Sequence, residues 1–274
     1  MSMAAPELSV VIAAYDVERW IAACLESVLR QEGPSFEIIV VDDHSRDRTP
    51  RVVEELGDPR IRLIVLDRNT GGPAAPRNRG AHEARGALLS FFDADDVMEP
   101  HRIARSVRAM AAAPEAGLAF TRFRQIDESD RLLAADFLAP YPRLAALPKQ
   151  AIEPGVFRIA GRAAFGALIE ENFVGTSSVT VRKALFDDVG GFDTTLRSAE
   201  DRDLWFRLAR RADFVFVDEV LHAYRSRAGS LTKGDSAGLA QCRIEVLERQ
   251  RPFVETPGER APCGIKRISP VVVS

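Results

Sequence analysis

The feature that most constrains this chain is a change of hydrophobic period that recurs through its first 120 residues. Residues 8–14 (LSVVIAA) form an unbroken apolar run of strand length, as in a parallel strand covered on both faces. Asp16 is placed to cap a following helix. Behind it Val17, Trp20, Ile21, Cys24, Leu25, Val28 and Leu29 recur at helical spacing until Gly33-Pro34 ends the stripe. The cycle then repeats. Strands at 37–41 (EIIVV), 61–66, 87–92 (ALLSFF) and 117–123 alternate with helices opened by Thr49-Pro50, at 73–84, and after Pro100. The last of these helices carries Ile103, Ala104, Val107, Met110 and Ala111 on one face. Strands separated by helical stretches of roughly 10–15 residues predict right-handed βαβ units and a mainly parallel sheet flanked by helices.

The second half is less regular. Residues 127–154 are rich in proline and poorly periodic, and read as a long loop or insertion. Short strands are expected at 178–181 and 214–217, and a helix at 200–212 with Leu204, Trp205, Leu208 and Ala209 on its apolar face. A further helix around 239–247 precedes a loose tail from Pro252. The 37 Lys and Arg against 40 Asp and Glu give a net charge of −3, which offers no polyanion-binding signature, so nucleic acid is not an expected partner. Cys24, Cys242 and Cys263 are odd in number and form no C-x-x-C pair. They exclude a disulfide framework and a cysteine zinc site and fit a reducing cytoplasm. No apolar run reaches the roughly 18 residues of a transmembrane segment, and residues 1–7 lack the marks of a signal peptide. The expectation is a soluble, cytoplasmic enzyme, with peripheral membrane contact left open.

Ligands of an open parallel sheet bind at the carboxyl ends of its strands, and acids gather there. The second strand runs into Asp42-Asp43 and the fourth into Asp93-Ala94-Asp95-Asp96. An Asp after a strand also makes turns, but one turn does not need three acids, and two groups on one edge favour a site. Crowded carboxylates repel unless neutralised, which a hard divalent ion, Mg²⁺ or Mn²⁺, would do. Phosphate cradles are missing: Ala14-Tyr15-Asp16-Val17 follows the first strand where G-x-G-x-x-G would stand, and no P-loop occurs. The glycine-rich turn Gly71-Gly72-Pro73 leads into Arg77-Asn78-Arg79, whose arginines are candidate phosphate or base contacts. His82 reads as a solvated helix position and His101 as structural. His222 is a lesser candidate for a pyrophosphate or metal contact.

The stretches SVVIAAYDVERWIAACLESVLRQ, EIIVVDDHSRDRT, NTGGPAAPRNRGAHEARG, FFDADDVMEP and EDRDLWFRLAR, in this order and spacing, resemble family 2 glycosyltransferases. These are nucleotide-sugar enzymes of the GT-A fold, and the resemblance spans about residues 8–232. It implies one α/β domain over 7–232 with a Rossmann-like sheet and an irregular acceptor-side region, followed by a C-terminal helix and loose tail over 233–274. It also implies roles. Ala13 and Tyr15 would line the nucleotide base and Asp43 would accept its N–H, with Asp42 shaping the turn. Arg77 would lie near base and phosphates, and Asp93 and Asp95 would be the outer acids of a D-x-D motif. Asp93 falls near the ribose and Asp95 on the metal, both offered as ligands to Mg²⁺ or Mn²⁺. Asp201 resembles the general base, with Glu200 beside it in the catalytic pair, placed to cap the helix or hold an arginine. Arg225 and Arg227 of Tyr224-Arg225-Ser226-Arg227 would complete the donor contacts.

The implied reaction is inverting transfer from a nucleotide-diphosphate sugar, UDP-linked in preference, to a carbohydrate or lipid-linked acceptor in polysaccharide or glycoconjugate synthesis. Three departures stand out: His44 where the family often has Gly, Ala13 where Pro or Thr is common, and Arg227 where a His is frequent. A sugar-nucleotide nucleotidyltransferase is the rival enzyme, but it would want a glycine- and lysine-rich loop after the first strand. A non-catalytic binding protein of the same fold would not need Asp93, Asp95 and Asp201 together. The helix start also sets an expectation for orientation. Asp201 should lie on the sheet-facing stripe with Leu204, Trp205 and Leu208, and Glu200 should lie toward the polar side.

Overall fold

The computed structural model describes residues 5–227 and 236–254. Its first half follows the alternating pattern: β1 (Leu8–Ala14), α1 (Ile21–Leu29), β2 (Phe36–Asp42), α2 (Thr49–Glu55), β3 (Ile61–Val65), α3 (Ala74–Glu83) and β4 (Leu88–Asp93). β5 (Val97–Met98), α4 (Arg102–Ala112) and β6 (Ala116–Ile126) continue it. The irregular region then contributes β7 (Leu132–Ala134), α5 (Pro142–Ala146), β8 (Gln150–Glu153), β9 (Val156–Ile159) and α6 (Gly161–Glu170). β10 (Val179–Arg182), α7 (Lys183–Asp188), α8 (Glu200–Ala209), β11 (Asp213–Arg225) and α9 (Ser236–Glu248) follow.

One sheet runs β3-β2-β1-β4-β10-β6-β11-β9-β8. β1 is parallel to β2 and β4, β2 to β3, and β6 to β11. β10 is antiparallel to both β4 and β6, and two reversals leave β6 parallel to β4. The main strands therefore share one carboxyl edge. Alternation along β1 assigns its two faces. Val10 and Ile12 pack with Ile21 and Leu25 of α1 and with Ile103 and Met110 of α4, while Val11 packs with α3 and the layer containing α6 and α8. The approach of α3 is close: a Cβ on Gly80 would lie 2.4 Å from Val11 Cγ1, so the helix sits directly over the middle of β1.

Several expectations need correction. Asp16 does not cap a helix. It adopts φ 48°, α1 starts at Ile21 without a side-chain cap, and the Asp16 carboxylate instead accepts the Arg46 N–H at 2.7 Å. Thr49 lies inside α2, and its hydroxyl accepts the Val17 N–H at 2.9 Å. Of the stripe expected on α4, Ile103 and Met110 are buried and Val107 packs partly buried against the same core, but Ala111 is exposed and Arg102, Ser106 and Ala109 complete the buried side. The 127–154 stretch holds two strands and a helix. The short strand expected at 214–217 is the thirteen-residue β11, which continues through Arg225. The helix expected at 239–247 is α9, whereas residues 233–235 and the tail from 255 lie outside the described residues.

Candidate active site

The register brings the acids together. Ala13, half-buried at the end of β1, lies beside Val41 on β2 and beside Asp93 on β4. Asp42 shapes the turn as expected, accepting the Ser45 N–H at 2.9 Å and the Ser45 hydroxyl at 2.5 Å. His44 follows at φ 62°, the left-handed region that glycine favours, which accounts for glycine being the commoner residue there in the resembling family. Asp43 is 3 % exposed. Its two oxygens accept the Thr70 N–H at 3.0 and 3.1 Å and the Thr70 hydroxyl at 3.0 Å. Burial raises its pKa against those hydrogen bonds. Tyr15 stands exposed beyond the strand with the Arg46 guanidinium 5.6 Å from its ring.

Arg77 is the hub. It rises from α3, is 5 % exposed, and sends Nη2 to Asp93 Oδ1 and Nη1 to Glu200 Oε1, both at 2.7 Å. The Phe192 ring lies 5.4 Å from the guanidinium. Burial opposes its charge, but Asp93 and Glu200 outweigh that cost and hold it firmly protonated. Its neighbour Asn78 fixes the opposite wall, donating to Phe192 O at 2.7 Å and accepting the Phe192 N–H at 2.9 Å. Arg79 is on the outer side of α3, paired with Glu83 at 3.1 Å, so the expectation that it joins Arg77 in the site is corrected.

The Asp93–Asp96 turn is held from behind by β11. Arg225, 2 % exposed, donates Nε to Asp95 O at 2.7 Å and its N–H to Asp96 Oδ1 at 2.8 Å. Its Nη2 reaches Asp130 at 2.7 Å. Arg225 thus ties the turn to the loop after β6. Arg227 pairs with the Asp95 carboxylate. Even so, burial and Asp93 keep the Asp95 carboxyl above its usual range, and burial with Asp95 and Asp93 drives Asp96 well above it. Asp96 Oδ2 is buried without a partner. Negative charge on this edge is therefore under-compensated.

Glu200 and Asp201 open α8. Glu200 is 7 % exposed and locked to Arg77, whereas Asp201 is half-buried, its Oδ1 accepting the Arg202 N–H at 2.6 Å. The expected orientation is reversed in one respect: the buried stripe of α8 begins with Glu200 and runs through Asp203, Leu204, Trp205 and Leu208, with Asp201 at its margin. Burial and the adjacent Glu200 push the Asp201 carboxyl up to about 6, with Arg77 opposing. The Arg77 guanidinium is engaged by Asp93 and Glu200, which leaves Asp201 as a carboxyl poised to exchange a proton near neutral pH.

Other side chains settle simply. His222 is 1 % exposed, stacked on Phe123 at 4.8 Å, and kept neutral by burial and by Arg102. It belongs to the core beneath the turn and does not reach the site's open edge. His82 is solvent-exposed, His101 sits at φ 64° before α4, and Trp205 is core, its Nε1 donating to Val174 O at 3.0 Å. Two supports escaped sequence reasoning. Ser177 accepts the Asp93 N–H at 3.0 Å. Arg102 is fully buried, donates to Ser90 Oγ at 3.1 Å and Ser177 O at 2.6 Å, and has its pKa lowered by burial to about 10. Arg102 looks like any solvated helix cation in the sequence, and nothing in its neighbours signals otherwise.

The residues fit a hard divalent cation. The donors that Asp93 and Asp95 offer are carboxylate oxygens, the kind such a cation takes. Among the described residues no three His, Cys, Asp or Glu side chains form a metal cluster of their own, so phosphate or water oxygens would have to complete the coordination.

The model of the family described as Glycosyl transferase family 2 matches residues 9–166. The succinoglycan biosynthesis protein ExoO of Rhizobium meliloti is 36% identical over 231 residues, which is 83% of this chain and 63% of that protein. This chain thus spans less than two thirds of that relative's length. An uncharacterized protein of Mycobacterium tuberculosis is 31% identical over 249 residues, 90% of this chain and 75% of its own. Among solved structures, Staphylococcus aureus TarS 1–349 in complex with UDP-GlcNAc aligns with TM-score 0.67 at 21% identity, over 90% of this chain and 73% of that one. This likeness is one of fold, and it matches the sheet and helix layers described above.

Proposed function

The chain belongs to glycosyl transferase family 2, and from that premise we propose that it moves a sugar from a nucleotide-diphosphate donor, UDP-linked in preference, to a hydroxyl of a carbohydrate or lipid-linked acceptor. The observation that carries this reading is the Arg77 bridge. It draws the strand-end acid Asp93 and the helix-end acid Glu200 onto one buried guanidinium, 2.7 Å from each. A donor edge and a proton-accepting carboxyl are thereby held side by side.

In this reading Ala13, Tyr15 and Asp43 bound the base at the ends of β1 and β2, and Asp93 lies toward the ribose. Asp95 and Asp93 would hold a divalent ion, which when bound would supply Lewis-acid neutralisation of the diphosphate. Arg227, a fifth exposed at the mouth, adds a guanidinium for the same anion. Asp201 takes the proton of the acceptor hydroxyl as its oxygen bonds to the anomeric carbon and the bond from that carbon to the diphosphate oxygen breaks. Attack opposite the leaving group inverts the anomeric centre, and one base suffices. Glu200 contributes by fixing Arg77 and by raising Asp201. Relatives such as ExoO, named for succinoglycan biosynthesis, support placing the reaction in polysaccharide synthesis.

Turnover tests this. Purified protein with Mn²⁺ and a panel of UDP-sugars should release UDP from at least one of them, faster when oligosaccharide acceptors are added. A panel that binds but shows no release with any acceptor would reduce the protein to a nucleotide-sugar binder.

A further inference from the structure

One carboxylate has two claims on it. Arg227 Nε donates to Asp95 Oδ2, and the paired side chains are 20% and 16% exposed. The Arg227 guanidinium lies 5.1 Å from the Trp20 ring, whose system Arg19 also approaches at 5.2 Å. Arg225, two residues earlier, fixes the Asp95 carbonyl and the Asp96 carboxylate. The backbone of the turn is thus held independently, and the charge on Asp95 falls to Arg227. Arg77 cannot play the same part for Asp93 and then leave, because it is 5 % exposed and holds Glu200 as well. Arg227 lies nearer solvent and directly precedes residues outside the described structure.

A dication and a guanidinium cannot both sit at contact distance on one carboxylate without strong mutual repulsion. A diphosphate changes the balance, since it offers the planar guanidinium fork a multiply charged partner whose oxygens arginine can pair with bidentately. We propose that Arg227 is an internal counter-ion that holds Asp95 against divalent cations until a nucleoside diphosphate arrives, whereupon its guanidinium passes to the diphosphate and the carboxylate passes to the metal. Metal binding is then conditional on the nucleotide. Asp95 and Arg227 each keep a charged partner throughout the exchange. The proposal rests on the reading of Asp95 as a metal ligand.

Mn²⁺ binding, followed by electron paramagnetic resonance with the Mn²⁺–UDP complex alone as control, tests it without any turnover. In the wild type, UDP should tighten Mn²⁺ binding. Arg227→Ala should bind Mn²⁺ without UDP about tenfold more tightly than the wild type, equivalent to about 1.4 kcal/mol, and should gain correspondingly less on adding UDP. Arg227→Gln, which keeps a polar but uncharged side chain, should do the same and serves if the alanine variant folds poorly. Arg227→Lys should stay close to the wild type. Variants of Arg227 that bind Mn²⁺ alone no better than the wild type overturn the proposal. Failure of the underlying reading has a different signature: Asp95→Ala would then bind Mn²⁺ in the presence of UDP as tightly as the wild type.

Discussion

Asp201→Asn separates a base from a helix-end charge because the two roles move stability in opposite directions. Burial and Glu200 raise the Asp201 carboxyl to about 6 in the folded protein, so its charged form is disfavoured by folding. The sign follows from proton counting. Between the ordinary value of 3.8 and about 6, the native state binds more protons than the unfolded chain, and stability falls as pH rises. Above about 6 the full penalty is present, and below 3.8 it vanishes. At about 1.4 kcal/mol for each pH unit, the ceiling is about 3 kcal/mol. Asparagine keeps an oxygen for the Arg202 N–H and carries no charge. The variant should therefore be more stable than the wild type at pH 8 by about 1–3 kcal/mol, or roughly 2–10 °C in Tm for a chain of this size. The gain should shrink steadily toward pH 4.5. Over the same range transfer should slow by about 10²–10⁴-fold with donor KM almost unchanged. Thermal melts across pH alongside turnover decide the matter. A variant destabilised at pH 8, as loss of a favourable helix-end charge requires, or one that turns over near the wild-type rate, would refute the assignment.

Further outcomes follow from the same geometry. The wild-type rate should fall below pH 6 with a single protonation near the Asp201 value of about 6, read from kcat against pH. Arg77→Met leaves the buried Glu200 uncompensated and the half-buried Asp93 without its partner, and should cost about 3–5 kcal/mol in urea denaturation. Arg77→Lys should rescue little, since one ammonium cannot reproduce the fork. Asp43→Ala should weaken UDP binding by about 1.5–3 kcal/mol while its metal dependence persists, measured by calorimetry with and without EDTA. Gly80→Ala drives a methyl to 2.4 Å from Val11 Cγ1 and should destabilise by about 1–3 kcal/mol.

Legibility in the sequence followed the range of the interactions. The parallel strands β1 to β4 and the helices between them were visible because each carries its own period, and the acids at their carboxyl ends followed from that topology. Val179–Arg182 gave no sign that it would enter the sheet antiparallel between β4 and β6, since four residues have no usable period and the pairing is set by distant chain. The Asp16 reading failed for a similar reason: at φ 48° its carboxylate is taken by Arg46, thirty residues on. The Arg77–Glu200 pair spans 123 positions. Sequence motifs supplied both residues, and only the fold shows that one guanidinium serves two acids. Glu200 was expected toward the polar side because the spacing to Leu204, Trp205 and Leu208 assigned Asp201 to the buried stripe. A buried counter-charge reverses that assignment.

In the proposed function the acids on the carboxyl edge form a nucleoside-diphosphate site that a divalent ion completes. Calorimetric titration of UDP with Mn²⁺, repeated with EDTA and with Asp95→Ala, tests it most directly. The account predicts saturable binding with Mn²⁺ that weakens at least about tenfold, or about 1.4 kcal/mol, under either change. Equal affinity in all three titrations, or no binding of UDP at all, would contradict it.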